Sequence, residues 1–429
     1  MAFFTFVNQY YWPDVASTGQ HLADLCEALV ARGHRVRVVC SRGQYLEGRG
    51  EAPLFEMHRG VEVVRVPASS HGKNGSLWRR ALDYLSFHAL LAKALLLGPR
   101  PDAVVTLTTP PLLGVWGRAL QVLRRTQHVH WVMDLHPDAE FELGLLSRKS
   151  LLGRFLAFAC GHPMRTATRN VVLGPYQGAR LEGRGVAAER IAEIPVWSSA
   201  DEISPIDHRF NTLRTELGWD GRFVVLYSGN AGLVHRFDEL CDAMVELESR
   251  APNVLFAFVG GGPRRAEIET FATEHGLENV EFHGYLPREA LGQSLPAGDV
   301  HFMSLEPNQT GVAVPGKLYG ILAAGRPVLF VGAERCESAD TIRDSGAGLC
   351  FVPGQGAELA DAIAALAEDA AADCERLAHH GRNARAVFLE RFEREVCCAQ
   401  WVELLEDVAG VHVGHGGHAT AATRLADAA

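Results

Sequence analysis

The chain alternates short apolar runs with amphipathic stretches almost from its first residue. Residues 3–7 form an apolar run. The segment after it carries Leu22, Leu25, Cys26 and Leu29 at helical spacing and stops at Gly33, a residue tolerant of the left-handed backbone that closes a helix. Residues 35–40 then alternate as a strand does. The same pattern predicts strands at 61–66, 103–107, 129–133, 168–173 and 190–194. A polar connector, 198–222, interrupts the rhythm. It restarts with strands predicted at 223–227, 254–259, 280–283, 300–303, 327–331 and 349–352, separated by helices near 235–250, 263–276, 316–324 and 356–368. Alternation of this kind requires parallel sheets covered by helices. The expected fold is α/β, with two Rossmann-like doubly wound domains facing across a cleft, at 1–199 and 200–385. A late amphipathic helix at 384–408 would place Phe388, Phe392, Val396 and Leu404 on one side. The tail 411–429 has no periodicity and is expected to be disordered.

Length agrees with two cores, because 429 residues exceed what one core comfortably serves. The net charge of −10 argues against a nucleic-acid binder, whose affinity comes from neutralising phosphates. One basic region stands out: residues 58–101 hold seven Lys or Arg against Glu62 and Asp83. Nine cysteines without a C-x-x-C spacing point to a reduced, cytoplasmic protein. The N-terminus lacks the basic start of a signal peptide. No apolar run approaches the roughly 20 residues of a membrane span, and residues 81–97 are interrupted by Asp83, His88 and Lys93. Attachment to a membrane, if any, would be peripheral.

Ligands of such folds collect at the carboxyl ends of the strands, so the loops there carry the functional reading. Residues 256–265 run a buried strand into Gly260, Gly261 and Gly262, followed by Arg264 and a helix. Glycines admit close backbone approach and helix starts favour anions, though a plain tight turn would read the same way. Residues 226–238 form a second such loop with Gly229, Asn230 and Gly232, and place His235 and Arg236 where a helix should begin. Residues 306–327 contain Glu306, Thr310, Gly311 and Lys317. A lysine in the first turn of a helix opposes the macrodipole, which makes sense if an anion binds there. In the first half, Gly19 and Gln20 open a helix after a loop of small residues. Asp134 lies just past a strand, with His136, Asp138 and Glu142 following. Trp78, Arg79 and Arg80 begin a helix of basic, aromatic and leucine residues suited either to a lipid interface or to ordinary packing on a sheet.

Taken in order along residues 3–405, these segments resemble the retaining GT-B glycosyltransferases of family 4, or group 1, type, closest to those of bacterial O-antigen or colanic-acid biosynthesis. The resemblance rests on the 13–22 loop, Asp134-Leu-His-Pro-Asp138, Tyr227-Ser-Gly-Asn-Ala-Gly232, Val259-Gly-Gly-Gly-Pro263, His283-Gly-Tyr-Leu286, Pro315-Gly-Lys-Leu-Tyr319 and Ala323-Ala-Gly-Arg-Pro327. It implies a UDP-sugar or similar nucleotide-sugar donor, a lipid-linked or other saccharide acceptor, and an acceptor-binding first domain before a donor-binding second one. It also implies that residues 386–410 return to the first domain. Gly19 would lie against the donor diphosphate, the Tyr285-Leu286 backbone against the base, and Lys317 with Thr310 and Gly311 against phosphates and sugar. Asp134 would sit near the transferred sugar or the acceptor hydroxyl, and His136, Asp138 and Glu142 on the acceptor side. Asp134, Lys317 and Arg236 are the residues expected to carry catalysis.

Two departures bear on this. Larger members of the family carry two glutamates eight positions apart, which fall here at Val312 and Gly320; the family's Arg and Lys of the phosphate site fall at Asn230 and His235. Arg236 and Lys317 would replace that positive charge. The chain has no Asp-x-Asp pair, so a transfer without metal or other cofactor is expected, with the departing diphosphate stabilised by preorganised donors. A nucleotide-sugar epimerase and a non-catalytic nucleotide-sugar-binding homologue are the competing readings.

Overall fold

The computed structural model describes residues 1–14, 16–42, 52–67, 77–372 and 375–411, without the side chains of 77–81 and 83. The expected tail therefore lies outside the described residues, apart from Val411.

The first sheet has eight strands: β1 (Phe3–Val7), β2 (Arg35–Ser41), β3 (Phe55–His58), β4 (Val61–Val66), β5 (Ala103–Thr106), β6 (Gln127–Trp131), β7 (Arg169–Val172) and β8 (Ile191–Glu193). Their order is β3-β4-β2-β1-β5-β6-β7-β8, and every pair is parallel except β3 with β4. Strand alternation sends β1 side chains to both faces. Phe4 and Phe6 join Leu22, Leu25 and Leu29 of the helix Ser17–Ala31 on one side. Val7, Val39 and Val104 meet Phe87, Leu91 and Leu113 on the other. Each such side chain contributes about 1.5–3 kcal/mol of burial.

The second sheet comprises β9 (Phe223–Ser228), β10 (Val254–Val259), β11 (Val280–His283), β12 (Val300–Ser304), β13 (Val328–Val331) and β14 (Gly348–Phe351), ordered β11-β10-β9-β12-β13-β14 and wholly parallel. The order reverses at β9, between β10 and β12, and that switch point is where a ligand crevice forms.

The chain then crosses back. Ser198 N donates to Phe392 O at 3.1 Å and Arg394 N to Ser198 O at 2.9 Å. The helix Arg394–Ala409 packs on the helix Ser17–Ala31, with Trp401 4.5 Å from Trp131 between ring centroids. Glu406 reaches His34 at 2.9 Å and Arg32 at 3.3 Å.

Several expectations need correction. The single late helix is two, Glu375–Val387 and Arg394–Ala409, separated by a wide turn at Phe388–Phe392. The break shifts the helical phase, so Cys397, Trp401 and Leu405 form the buried stripe instead of Val396 and Leu404. Strand β3 went unread because it is a short edge strand that buries none of its four residues. The helix expected from 235 begins at Asp238, so His235 and Arg236 stand in the loop before it.

Candidate functional site

At the carboxyl end of the second sheet, the loops after β9 and β10 interlock backbone to backbone. Gly229 N donates to Val259 O at 2.8 Å, Ala231 N to Gly261 O at 2.7 Å, and Arg264 N to Ala231 O at 3.0 Å. Gly260 and Gly262 have φ of 132° and 121°, a region L side chains rarely enter. A Cβ on Gly260 would lie 2.3 Å from Gly229 O, and one on Gly262 2.6 Å from Ala231 backbone atoms. Glycine is required here by both conformation and contact. Tyr285, exposed after β11, lays its ring edge on Gly261, and its hydroxyl stands 3.4 Å from Asn230 Oδ1. Leu286 packs on the apolar cluster beneath.

Lys317 begins the short helix Lys317–Ala323. Its stem is partly exposed, but its ammonium nitrogen is buried, has no hydrogen-bond partner among the described residues, and lies 3.7 Å from the centroid of the Tyr227 ring. Burial pushes its pKa down to about 7. His235, expected to meet a diphosphate, is buried with Nδ1 2.6 Å from Ser304 O. The carbonyl accepts, so Nδ1 carries the proton. Burial first, and Lys317 second, lower the His235 pKa to about 3, so this side chain brings no charge.

Arg236 does not stand free. Its guanidinium meets Glu239 at 2.6 Å, Asp238 at 3.2 Å and Glu306 at 3.3 Å. Arg264 donates to His235 O at 2.6 Å and pairs with Glu267 at 3.0 Å and Glu306 at 3.7 Å. Glu306 is thus held between two arginines, and the loop's positive charge is largely neutralised. Lys317 is left as its unpartnered cation.

Loop 305–316 also touches the first domain. Leu135 N donates to Val312 O at 3.0 Å, Arg180 Nε to Thr310 O at 2.6 Å, and Asn308 Nδ2 to Glu142 O at 3.0 Å. Gly311, with φ of 69°, lets Tyr176 O approach where a Cβ would sit 2.5 Å away. Nearby, Gln177 N donates to Glu337 Oε1 at 3.0 Å and the Tyr176 hydroxyl to Asp340 at 2.6 Å. Thr310 and Gly311 are therefore placed at the seam between domains.

In the first domain, Gly19 and Gln20 lie in the first turn of the helix Ser17–Ala31, Gly19 packing on the backbone of Tyr10. That turn has no acidic residue and no side-chain cap. Asp134 follows β6, its backbone N 3.2 Å from Thr108 Oγ1. Burial raises its pKa, partly offset by His136. His136 Nδ1 is 2.8 Å from Glu140. Burial opposes its charge, but the Glu140 bond and the neighbouring Asp134 outweigh it and raise its pKa. Asp138, expected on the acceptor side, is buried and gripped by Arg184 and Arg148; Glu142 also pairs with Arg148 at 2.9 Å. These two carboxylates brace the loop. The side chains of Trp78, Arg79 and Arg80 lie outside the described set.

Sequence reasoning gave Tyr227 no role of its own, although it lies in a quoted motif, and missed Glu140, Arg180 and Glu337. One of them pairs across a short spacing: His136 stands just before the helix Asp138–Glu142, and Glu140 in that helix reaches back to it. The others depend on contacts between distant segments.

Two family models match in tandem, "Glycosyl transferase 4-like domain" over residues 18–197 and "Glycosyl transferases group 1" over residues 210–387. The chain is a group 1 glycosyltransferase of GT-B fold. It is 28% identical over 328 residues, 73% of this chain and 79% of the other, to a protein of Escherichia coli (strain K12) assigned to colanic acid biosynthesis as the glycosyl transferase WcaI. Among solved structures it is similar to WaaG, a glycosyltransferase involved in lipopolysaccharide biosynthesis, with TM-score 0.68, 20% identity and coverage of 94% of this chain and 99% of that one. It is also similar to Anabaena Alr3699/HepE, solved in complex with UDP-glucose, with TM-score 0.68, 19% identity and coverage of 95% and 100%.

In this glycosyltransferase Val312 and Gly320 serve packing. Val312 is fully buried with Val132, Leu135 and Met164. A Cβ on Gly320 would sit 3.0 Å from Leu295 Cδ1.

Proposed function

We propose that this glycosyltransferase moves a sugar from a UDP-sugar to a lipid-linked saccharide with retention of anomeric configuration, and without a metal. The observation that carries the reading is the Lys317 ammonium: buried, unpartnered, and set on the ring of Tyr227, the β9 residue whose hydroxyl donates to Asn230 O in the first glycine loop. A buried cation without a partner is costly unless an anion meets it, and a donor diphosphate supplies that anion. A nucleotide donor is supported by the exposed Tyr285 ring, whose edge rests on Gly261, and the UDP preference by the UDP-glucose in the HepE complex.

In the proposed reaction the bond from the anomeric carbon to the diphosphate oxygen breaks, and a bond to the acceptor oxygen forms on the same face. The acceptor proton passes to the departing phosphate oxygen. Lys317 stabilises the charge that develops there. Asp134 and His136 are assigned to the sugar and acceptor side of the cleft, where Leu135 ties them to the second domain. The neutralising charge in the proposal is the protein's own.

The test is a thermal-shift screen of UDP, GDP, ADP and their sugars, followed by transfer assays with the stabilising donor and a lipid-linked acceptor fraction. NMR of the product anomer reads the stereochemistry. Stabilisation by UDP compounds and an anomer matching the donor support the proposal. An inverted product, or GDP selectivity, would overturn the corresponding part. Donor isomerised without acceptor would identify an epimerase instead.

A further inference from the structure

The helix Pro175–Glu182 begins without a cap of its own. Its N-cap is Gly174, which has no side chain, and Pro175 stands at the first helical position. The N–H groups of a first turn need acceptors, and many helices take one from the side chain at the N-cap. Here the acceptor comes from the other domain. Glu337, at the start of the helix Glu337–Ser345, is buried, and its Oε1 accepts from Gln177 N at 3.0 Å. The carboxylate side chain fills the space that a side chain on Gly174 would need, since a Cβ there would lie 2.6 Å from Glu337 Cγ. The backbone of Gly174 is extended, so contact and not conformation calls for glycine.

The same carboxylate faces a third segment. Burial raises the Glu337 pKa, and the backbone N–H groups of Glu337 itself, Gln177 and Gly311 hold part of that rise back. Gly311 lies on the loop 305–316 and packs on the backbone of Tyr176 and Gln177. One buried group therefore stands between the N-termini of two helices, one in each domain, and a loop of the candidate donor site. A carboxylate suits that place, because it accepts several N–H bonds at once and is favoured at helix starts. Other side chains bridge the seam from partly exposed positions, Arg180 to Thr310 O and Asn308 O, and Tyr176 to Asp340. The seam also holds buried polar atoms without hydrogen-bond partners among the described residues: both ends of the Gln309 amide, Gln177 Nε2 and Ser338 Oγ. Orphaned groups weaken such an interface, so it depends the more on the bonds that Glu337 makes.

We propose that Glu337 is a positioning residue that sets the donor loop against the first domain, capping a first-domain helix from the second domain and holding Gly311 with the same carboxylate. The role needs no contact with donor or acceptor. It rests on the proposed function only for the task given to the loop 305–316; the coupling of the two domains stands on the contacts themselves.

Hydrogen exchange read by mass spectrometry tests it on the full chain without ligand. In Glu337→Ala, peptides covering 174–178 and 309–313 should both exchange on the order of tenfold faster, although the two segments are far apart in sequence. Glu337→Gln keeps an oxygen acceptor and should restore most of the protection. Gly174→Ala retains the carboxylate but pushes it aside, so it should loosen the same two segments, and it carries the test if Glu337→Ala does not fold. With a UDP-sugar and the lipid-linked acceptor fraction, Glu337→Ala should lower kcat on the order of tenfold with donor KM nearly unchanged, because Lys317 is left in place. Faster exchange confined to 337–345 would overturn the proposal by limiting Glu337 to its own helix. So would unchanged exchange in folded Glu337→Ala, a glutamine variant as loose as the alanine one, or an unchanged kcat. Coupled loosening in a protein that shows no UDP thermal shift would leave the coupling standing and remove the donor reading. A UDP shift without coupled loosening would leave the donor reading alone.

Discussion

The Lys317 ammonium lies 3.7 Å from the centre of the Tyr227 ring and makes no hydrogen bond among the described residues. The ring face attracts a cation, but it does not replace the water lost on burial, and the Lys317 pKa falls to about 7. The side chain is held ready for an anion at a cost to the empty protein.

That cost is measurable. Replacing Lys317 by Met removes a buried cation and keeps the apolar stem, so the ligand-free protein should gain on the order of 1–3 kcal/mol at pH 7. The same variant should lose the nucleotide-induced thermal shift. Thermal melting with and without UDP reads both, and a destabilised variant that still responds to UDP would contradict the assignment.

Proton linkage follows from the same group. With a folded-state pKa near 7 against 10.5 unperturbed, Lys317 is mostly neutral at pH 8 in the empty site. A bound diphosphate favours the charged form. Nucleotide binding at pH 8 should therefore take up a fraction of a proton, and at pH 6 almost none. Calorimetry in two buffers of different ionisation enthalpy would detect the difference; equal observed heats in the two buffers at pH 8 would exclude it.

Acid should loosen the fold before carboxylates titrate. His128 and His130 are buried on β6, both bonded to Thr106 Oγ1, and His301 is buried on β12. Burial lowers the pKa of His130 and His301 to about 4, and that of His128 well below its usual value. A depressed histidine is neutral in the fold while the unfolded chain gains a proton below about 6.5. Stability is therefore full above pH 6.5 and declines toward pH 4, by up to about 1.4 kcal/mol per pH unit for each group. Urea midpoints at pH 7.5 and 5 check this, and an unchanged midpoint would mean these rings ionise inside the fold.

Gly117 gives a test of packing. A Cβ there would lie 2.1 Å from His128 Nε2, far inside contact distance. Gly117→Ala should cost about 2 kcal/mol or more despite the better helix propensity of alanine. A denaturant titration that shows no loss would place His128 elsewhere.

On the cleft, Glu140 is expected to sustain the charge of His136. Glu140→Gln removes the 2.8 Å ion pair, so the His136 pKa should fall, because the bond to Glu140 now raises it. NMR titration of the His136 ring would follow the change directly. An unchanged midpoint would assign the raised value to Asp134 instead.

What the sequence alone determined was the double fold and the glycine-rich loops at the carboxyl ends of its strands. Strand and helix periodicity is local, so β1, β4, β10 and β11 were read with their observed bounds, and the parallel sheets followed from alternation. The glycine loops were legible too, because Gly229, Gly260 and Gly262 occupy backbone conformations that other residues avoid. Tertiary structure decided which charges are free. Arg236 and Lys317 look alike in the sequence, yet Arg236 is claimed by Glu239 and Glu306, the latter 70 residues away, while Lys317 is not. The phase of the last helix, the bracing of Asp138 by Arg184, and the seam from Leu135 to Val312 likewise depend on contacts between distant segments. Pairing energies of this kind depend on burial and distance, and neither is encoded in the local pattern.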